Sequence, residues 1–236
     1  SYTKAIVSNY TREINGGTQL PITIETSSRM LYNPALKGAY MFIPGIMTLI
    51  LMLISAMITS ISLAREKELG TMEVLLASPL NPVQIIIGKL TPYFILSLAN
   101  ATFIIGLGIL VFGIPVKGSF ILLMAECTLF ILVALSLGIL ISTVAKTQQV
   151  AMMMSQVGLM LPTILLSGFI FPVDNMPVIL QWLSNLMPPK WFIIILKNVM
   201  LKGASFQYVW KETLFLVVML VIFIGLSVKK FKIRLE

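Results

Sequence analysis

The chain contains no histidine, one cysteine (Cys127) and one aspartate (Asp174) in 236 residues. Without histidine there is no Ser-His or Cys-His catalytic pair and no His-containing metal site within one chain. One cysteine excludes an internal disulfide, and one aspartate excludes a two-aspartate intramembrane protease. A GxxxxGK[ST] phosphate loop is also missing: the nearest piece, Gly88-Lys89, lacks the first glycine and the Ser/Thr. Charge is scarce, at 11% of residues against about 25% in soluble domains.

What fills the chain is apolar: 58% of it is hydrophobic. Five runs, at 39–63, 90–113, 119–145, 150–171 and 208–228, are each near the length of a membrane-crossing helix. The first would span about 37 Å as a helix. The expected fold class is therefore all-α, a polytopic membrane protein with five transmembrane helices. Asn81-Pro82-Val83-Gln84 reads as a helix start, with Lys89 snorkelling to the surface. Between the fourth and fifth runs lies a stretch rich in Pro, Trp and Lys. Its two short amphipathic pieces within 178–201 are too short to span and are expected at the interface or re-entering it.

Residues 1–36 differ. Gly16-Gly17 reads as a turn, and Ile22 and Ile24 alternate with threonines as in a strand. This is expected to be the end of an extracytoplasmic mixed α/β domain, with residues 37–236 forming the transmembrane domain. Five spans put the two ends of the chain on opposite sides. The net charge of +8 suits lysines and arginines in loops and at lipid surfaces, with no nucleic acid as partner. Arg65, Lys67, Lys89, Lys146 and the tail Lys229, Lys230, Lys232 and Arg234 would lie inside. Trp182, Trp191 and Trp210 would anchor the outer side, and an upstream span would carry the N-terminal segment outside.

Three places are candidates for function. Arg65 to Leu80 holds the densest mixed charge. Leu69, Met72 and Leu76 fall at i, i+3 and i+7 beside Glu66, Glu68 and Glu73, three of eight glutamates. That pattern fits a short acidic amphipathic helix docking into a partner's groove, whereas composition alone favours a solvated inner loop. Glu126 interrupts the third run about 10 Å below its outer edge by helical rise. A charge there belongs on a substrate path or subunit interface, or reaches the headgroups or Lys117. Pro162, flanked by Gly158 and Gly168, could kink the fourth run, although Gly and Pro are frequent in membrane helices.

The stretch Glu66-Lys67-Glu68-Leu69-Gly70-Thr71-Met72-Glu73-Val74-Leu75-Leu76, followed by Ser78-Pro79-Leu80, resembles the signature of ABC-2 type permeases, REKExGTxExLxxxPL. Three further segments match in order. Arg29 to Pro34 with Pro44-Gly45 resembles the approach to the family's second span. Gly138 to Gln149 resembles its segment ending in AKTQQ, and Leu166 to Pro172 with Met176-Pro177 resembles its LSGFIFP and MP pieces. The likeness runs from Arg29 onward. It implies the ABC-2 (type V) permease fold and the C-terminal portion of such a protein, without its first span and most of its external domain.

The resemblance further implies a coupling helix at about 65–77 that sits on an ABC ATPase subunit. Glu66, Glu68, Leu69, Gly70, Thr71 and Glu73 would carry the contact, with Lys67, Met72 and Leu76 on the same element. Gly70 would mark where it turns, and Lys67 would pair with the partner or stay solvated. The implied protein is the permease subunit of an ATP-driven exporter in the bacterial cytoplasmic membrane. Its C-terminus is inside, and it is not itself an enzyme. It would pair with a second permease subunit, the same or different, and could work with a periplasmic adaptor. No cofactor is expected on this chain, ATP and Mg belonging to the ATPase. A non-transporting scaffold or sensor that docks an ABC ATPase is the alternative reading.

Overall fold

The computed structural model describes residues 38–71 and 82–232, together with positions 5, 6, 9, 10 and 13, which are helical. The chain divides into two compact units, Ser1–Lys37 and Gly38–Glu236. The strand expected around Ile22 and Ile24 lies outside the described residues. The second unit is all-helical among its described residues. Its long helices are α1 (Ala39–Glu68), α2 (Pro82–Leu110), α3 (Phe120–Val144), α4 (Gln148–Leu166) and α7 (Phe206–Lys232). Between α4 and α7 lie the short α5 (Val178–Asn185) and α6 (Pro188–Leu196), the latter continued by a π-helical turn, Lys197–Leu201. Each long helix contains a segment long and apolar enough to cross a bilayer.

Burial sorts the five. The apolar windows of α1 and α3 are 50% buried, those of α2, α4 and α7 only 17–22%. So α1 and α3 form the centre, α4 and α2 pack on α1, and α7 packs on α3. The outer helices turn side chains such as Phe103, Leu161 and Val221 outward, which suits hydrocarbon on that side.

Small residues let the central pair close. A Cβ on Gly138 of α3 would lie 2.5 Å from the Ala56 carbonyl oxygen and 2.8 Å from Thr59 Cβ on α1. Close backbone approach through small residues is what drives helix association where lipid removes the hydrophobic contrast. Towards the end of α1, buried Ala64, Ala145 and Ala151 continue this contact. The Ser60 and Ser155 hydroxyls bond each other at 2.6 Å between α1 and α4. A bond of this kind contributes only about 0.6 kcal/mol, so packing rather than polar glue dominates.

At the opposite end, α5 and the segment Pro188–Leu201 meet at 80°. Pro188 and Pro189 open α6, where a proline costs no helical hydrogen bond. Phe192 stacks on Phe130 of α3 and Trp191 on Phe215 of α7, both at 4.1 Å between centroids. The Met200 and Val199 carbonyls accept from the Lys117 and Gly118 N–H groups at 3.0 and 3.1 Å. The pair is therefore a bent hairpin whose second arm is buried in the bundle, not a surface layer.

Three boundaries differ from expectation. The fourth run was expected to stay helical to 171, but α4 ends at Leu166, because Gly168 takes a left-handed φ of 76°. The first helix runs five residues past 63, since Glu66 to Glu68 gain partners on neighbouring helices. The helix expected at 65–77 therefore does not begin at Arg65: that residue lies in the last turn of α1. Residues 72–81 lie outside the described residues, Met72, Glu73 and Leu76 among them.

Candidate functional site

The last turn of α1 carries four consecutive charged residues, Arg65 to Glu68, of which the last three reach neighbouring helices. Successive helical residues point about 100° apart, so Glu66, Lys67 and Glu68 face three different directions. Glu66 forms an ion pair with Lys89 of α2. The Lys67 ammonium donates to the Ser142 carbonyl of α3. Glu68 Oε2 accepts from the Gln148 backbone N–H at 2.9 Å and from its side-chain amide at 3.1 Å. Gln148 is the first residue of α4, whose cap is Thr147. A carboxylate there meets unpaired N–H groups and the positive end of the helix dipole. One turn of α1 thus grips α2, α3 and α4. Lys67, expected to be solvated or paired with a partner protein, is instead spent within the chain.

Leu69 to Thr71, just past that grip, are exposed. Leu69 caps α1, its N–H bonded to the Arg65 carbonyl, and its side chain is 63% exposed. Gly70 has φ 72°, and among the described residues nothing lies within 4 Å of where a Cβ would stand; this conformation bends the chain away from the helix axis. The Thr71 hydroxyl donates to the Glu66 carbonyl at 3.2 Å. An exposed leucine just before a left-handed glycine thus stands on a turn held by three ties to neighbouring helices.

Glu126 sits near the other end. It is 3% exposed, so it reaches neither headgroups nor Lys117. The Thr213 hydroxyl of α7 lies 2.7 Å from its Oε1, and its Oε2 is buried with no hydrogen-bond partner among the described residues. Glu212 adjoins Thr213 on α7. Pro162 is partly buried inside an unbroken α4; its neighbour Thr163 faces Met52 Sδ of α1 at 3.7 Å. Glu126 and Pro162 lie on different helices, and no bond joins them. A small apolar cavity lined by Met47, Leu51, Ala101, Cys127 and Phe192 among others lies between α1, α2, α3 and α6.

Sequence reasoning did not find Ser142, Gln148 or Thr213 as partners, and it read Lys89 as snorkelling when it is paired. The short polar loop before α4 was the one visible signal for Gln148. No signal marked Thr213, which looks like any membrane-helix threonine.

Comparison with known proteins gives a consistent result. The family described as "ABC-2 family transporter protein" matches residues 1–229. The chain is 35% identical over 224 residues to the Escherichia coli K12 protein named "Probable multidrug ABC transporter permease YbhS", covering 95% of this chain and 59% of that protein. It is 39% identical over 212 residues to "Probable multidrug ABC transporter permease YbhR" of the same strain, covering 90% and 57%. To "ABC transporter G family member 20" of Dictyostelium discoideum it is 29% identical over 197 residues, covering 83% and 27%. The chain thus spans under two thirds of the length of these relatives. No solved structure matches it. With the family match running along residues 1–229 and five helices able to cross a bilayer, the chain belongs to the ABC-2 transporter family and carries its multi-pass membrane domain.

Proposed function

We propose that the chain is the permease subunit of an ATP-driven exporter, with a separate ABC ATPase docked on the element from Arg65 to about residue 77. The observation that carries this reading is the three-way grip of Glu66, Lys67 and Glu68 behind the exposed Leu69. A push on the exposed element reaches α1 at the centre of the bundle and, through three separate ties, α2, α3 and α4. Glu73, Met72 and Leu76 extend the docking face. The chain has no phosphate loop, so ATP and Mg belong to the partner, and the permease performs no chemistry. This end and the basic C-terminus face the cytoplasm; the tryptophan-bearing hairpin end faces out. Two permease subunits, identical or not, pair around the substrate path. Relatives named as multidrug permeases make amphiphilic drugs the first substrates to try.

The test pairs the protein with its ATPase in membrane vesicles and follows ATP hydrolysis and substrate movement together. Gly70→Pro and Glu73→Lys are expected to insert normally and to uncouple hydrolysis from transport. Full coupled transport in both variants would remove the docking role. ATPase association with no transport of any substrate would favour a scaffold or sensor.

A further inference from the structure

The Thr213 hydroxyl faces two oxygens, Glu126 Oε1 at 2.7 Å and the Val209 carbonyl at 3.0 Å. It has one hydrogen to give. A carbonyl can only accept. Elsewhere in the bundle Thr48, Thr59, Thr91, Thr102 and Thr128 each give that hydrogen to the carbonyl four residues back, at 2.8–2.9 Å, the usual habit of helical threonine. If Thr213 does the same, the hydrogen in the shorter contact comes from Glu126. We propose that Glu126 is a proton-binding site at the α3–α7 contact: a neutral acid that donates from Oε1 to Thr213 while the helices are packed, and releases its proton to water when they part.

Two further observations agree. Glu126 Oε2 is buried and unpartnered among the described residues. As the carbonyl oxygen of a neutral acid it suffers much less from that isolation than as half of a carboxylate. The neighbouring Glu212 also has a buried, unpartnered Oε2, and two adjacent carboxylates resist joint ionisation. Besides Cys127 beside it on α3, the elements packed on α3 carry in their halves on this side Tyr208, Lys211 and Glu212 on α7, Lys190 on α6 and Tyr40 on α1. The turn after α6 adds Lys197 and Lys202, and the α2–α3 loop adds Lys117. None hydrogen-bonds Oε2. In the outer half of α2, from 96 to 110, no residue is titratable. Because the packed state binds the proton and a hydrated Glu126 does not, acid favours α3–α7 packing and base favours its opening.

Infrared spectroscopy of the membrane-embedded protein at neutral pH tests this without ATPase or substrate, so it stands or falls apart from the transport reading. The expected result is a protonated-carboxyl C=O band that Glu126→Gln removes, Glu212→Gln keeps, and Thr213→Val moves in frequency. Should Glu126→Gln fail to insert, the Thr213→Val shift is decisive alone. No such band in the unmodified protein, or one unmoved by Thr213→Val, overturns the proposal. So does a band lost in Glu212→Gln and kept in Glu126→Gln.

Discussion

Glu68 and Glu126 each tie one helix to another, at opposite ends of the same bundle and under opposite conditions. Glu68 is exposed, and one of its oxygens takes both bonds from Gln148 at the start of α4. Glu126 is buried, with one oxygen against Thr213 and the other unpartnered among the described residues. Water can replace the first tie at little cost, so it suits a contact that is remade as the helices shift. The second cannot be hydrated without parting α3 from α7, so it suits a contact that is either fully made or fully broken. The proposed force-receiving end is built from exchangeable bonds; the far end holds its polar group in a nearly dry seam.

The largest effect is expected from removing what both ends depend on. Gly138→Val should cost about 3 kcal/mol by overpacking, because the Ala56 backbone it meets cannot swing aside. Denaturant unfolding in mixed micelles reads this, and a wild-type midpoint would show that α1 and α3 do not hold the ends in register. At the dry end, Thr213→Val should cost about 2 kcal/mol by stranding the Glu126 partner. Adding Glu126→Leu should recover most of that loss, since a buried polar pair replaced by apolar groups is near neutral. A double variant no better than the single would remove the contrast with Glu68. Gly70→Ala should cost about 1 kcal/mol through its left-handed backbone, since no described residue lies within 4 Å of the added Cβ, and should lower coupled transport. The smallest stability change belongs to Glu68→Gln, which should leave the unfolding midpoint in place yet weaken coupling several-fold. Equal transport in that variant would mean the α1–α4 tie carries no force.

Much of the architecture was legible in the chain. Hydrophobicity and helix length are local properties, so five runs point to the five long helices, and the ends err where local turns decide. Gly168 stops α4 early, and the charged turn after Leu63 prolongs α1 because it finds partners. The charged stretch itself stood out by density. Its use did not, because the residues it grips are distant in sequence: Lys67 and Ser142 are 75 positions apart, Glu68 and Gln148 80.

Glu126 divides the two kinds of knowledge most sharply. From the sequence alone came its presence in an apolar run and the cost of a charge there. Whether that cost is met by headgroups, by Lys117 or by another helix depends on which face of α3 it occupies and what packs on it. The fold puts it 2.7 Å from Thr213, 87 residues away, within a seam that α3 and α7 close. Composition determined that this chain carries helices able to cross a membrane. Only the packing of small residues between α1 and α3, and of α7 beside them, decided which polar groups meet. Apolar character is summed residue by residue, whereas a contact belongs to two surfaces at once.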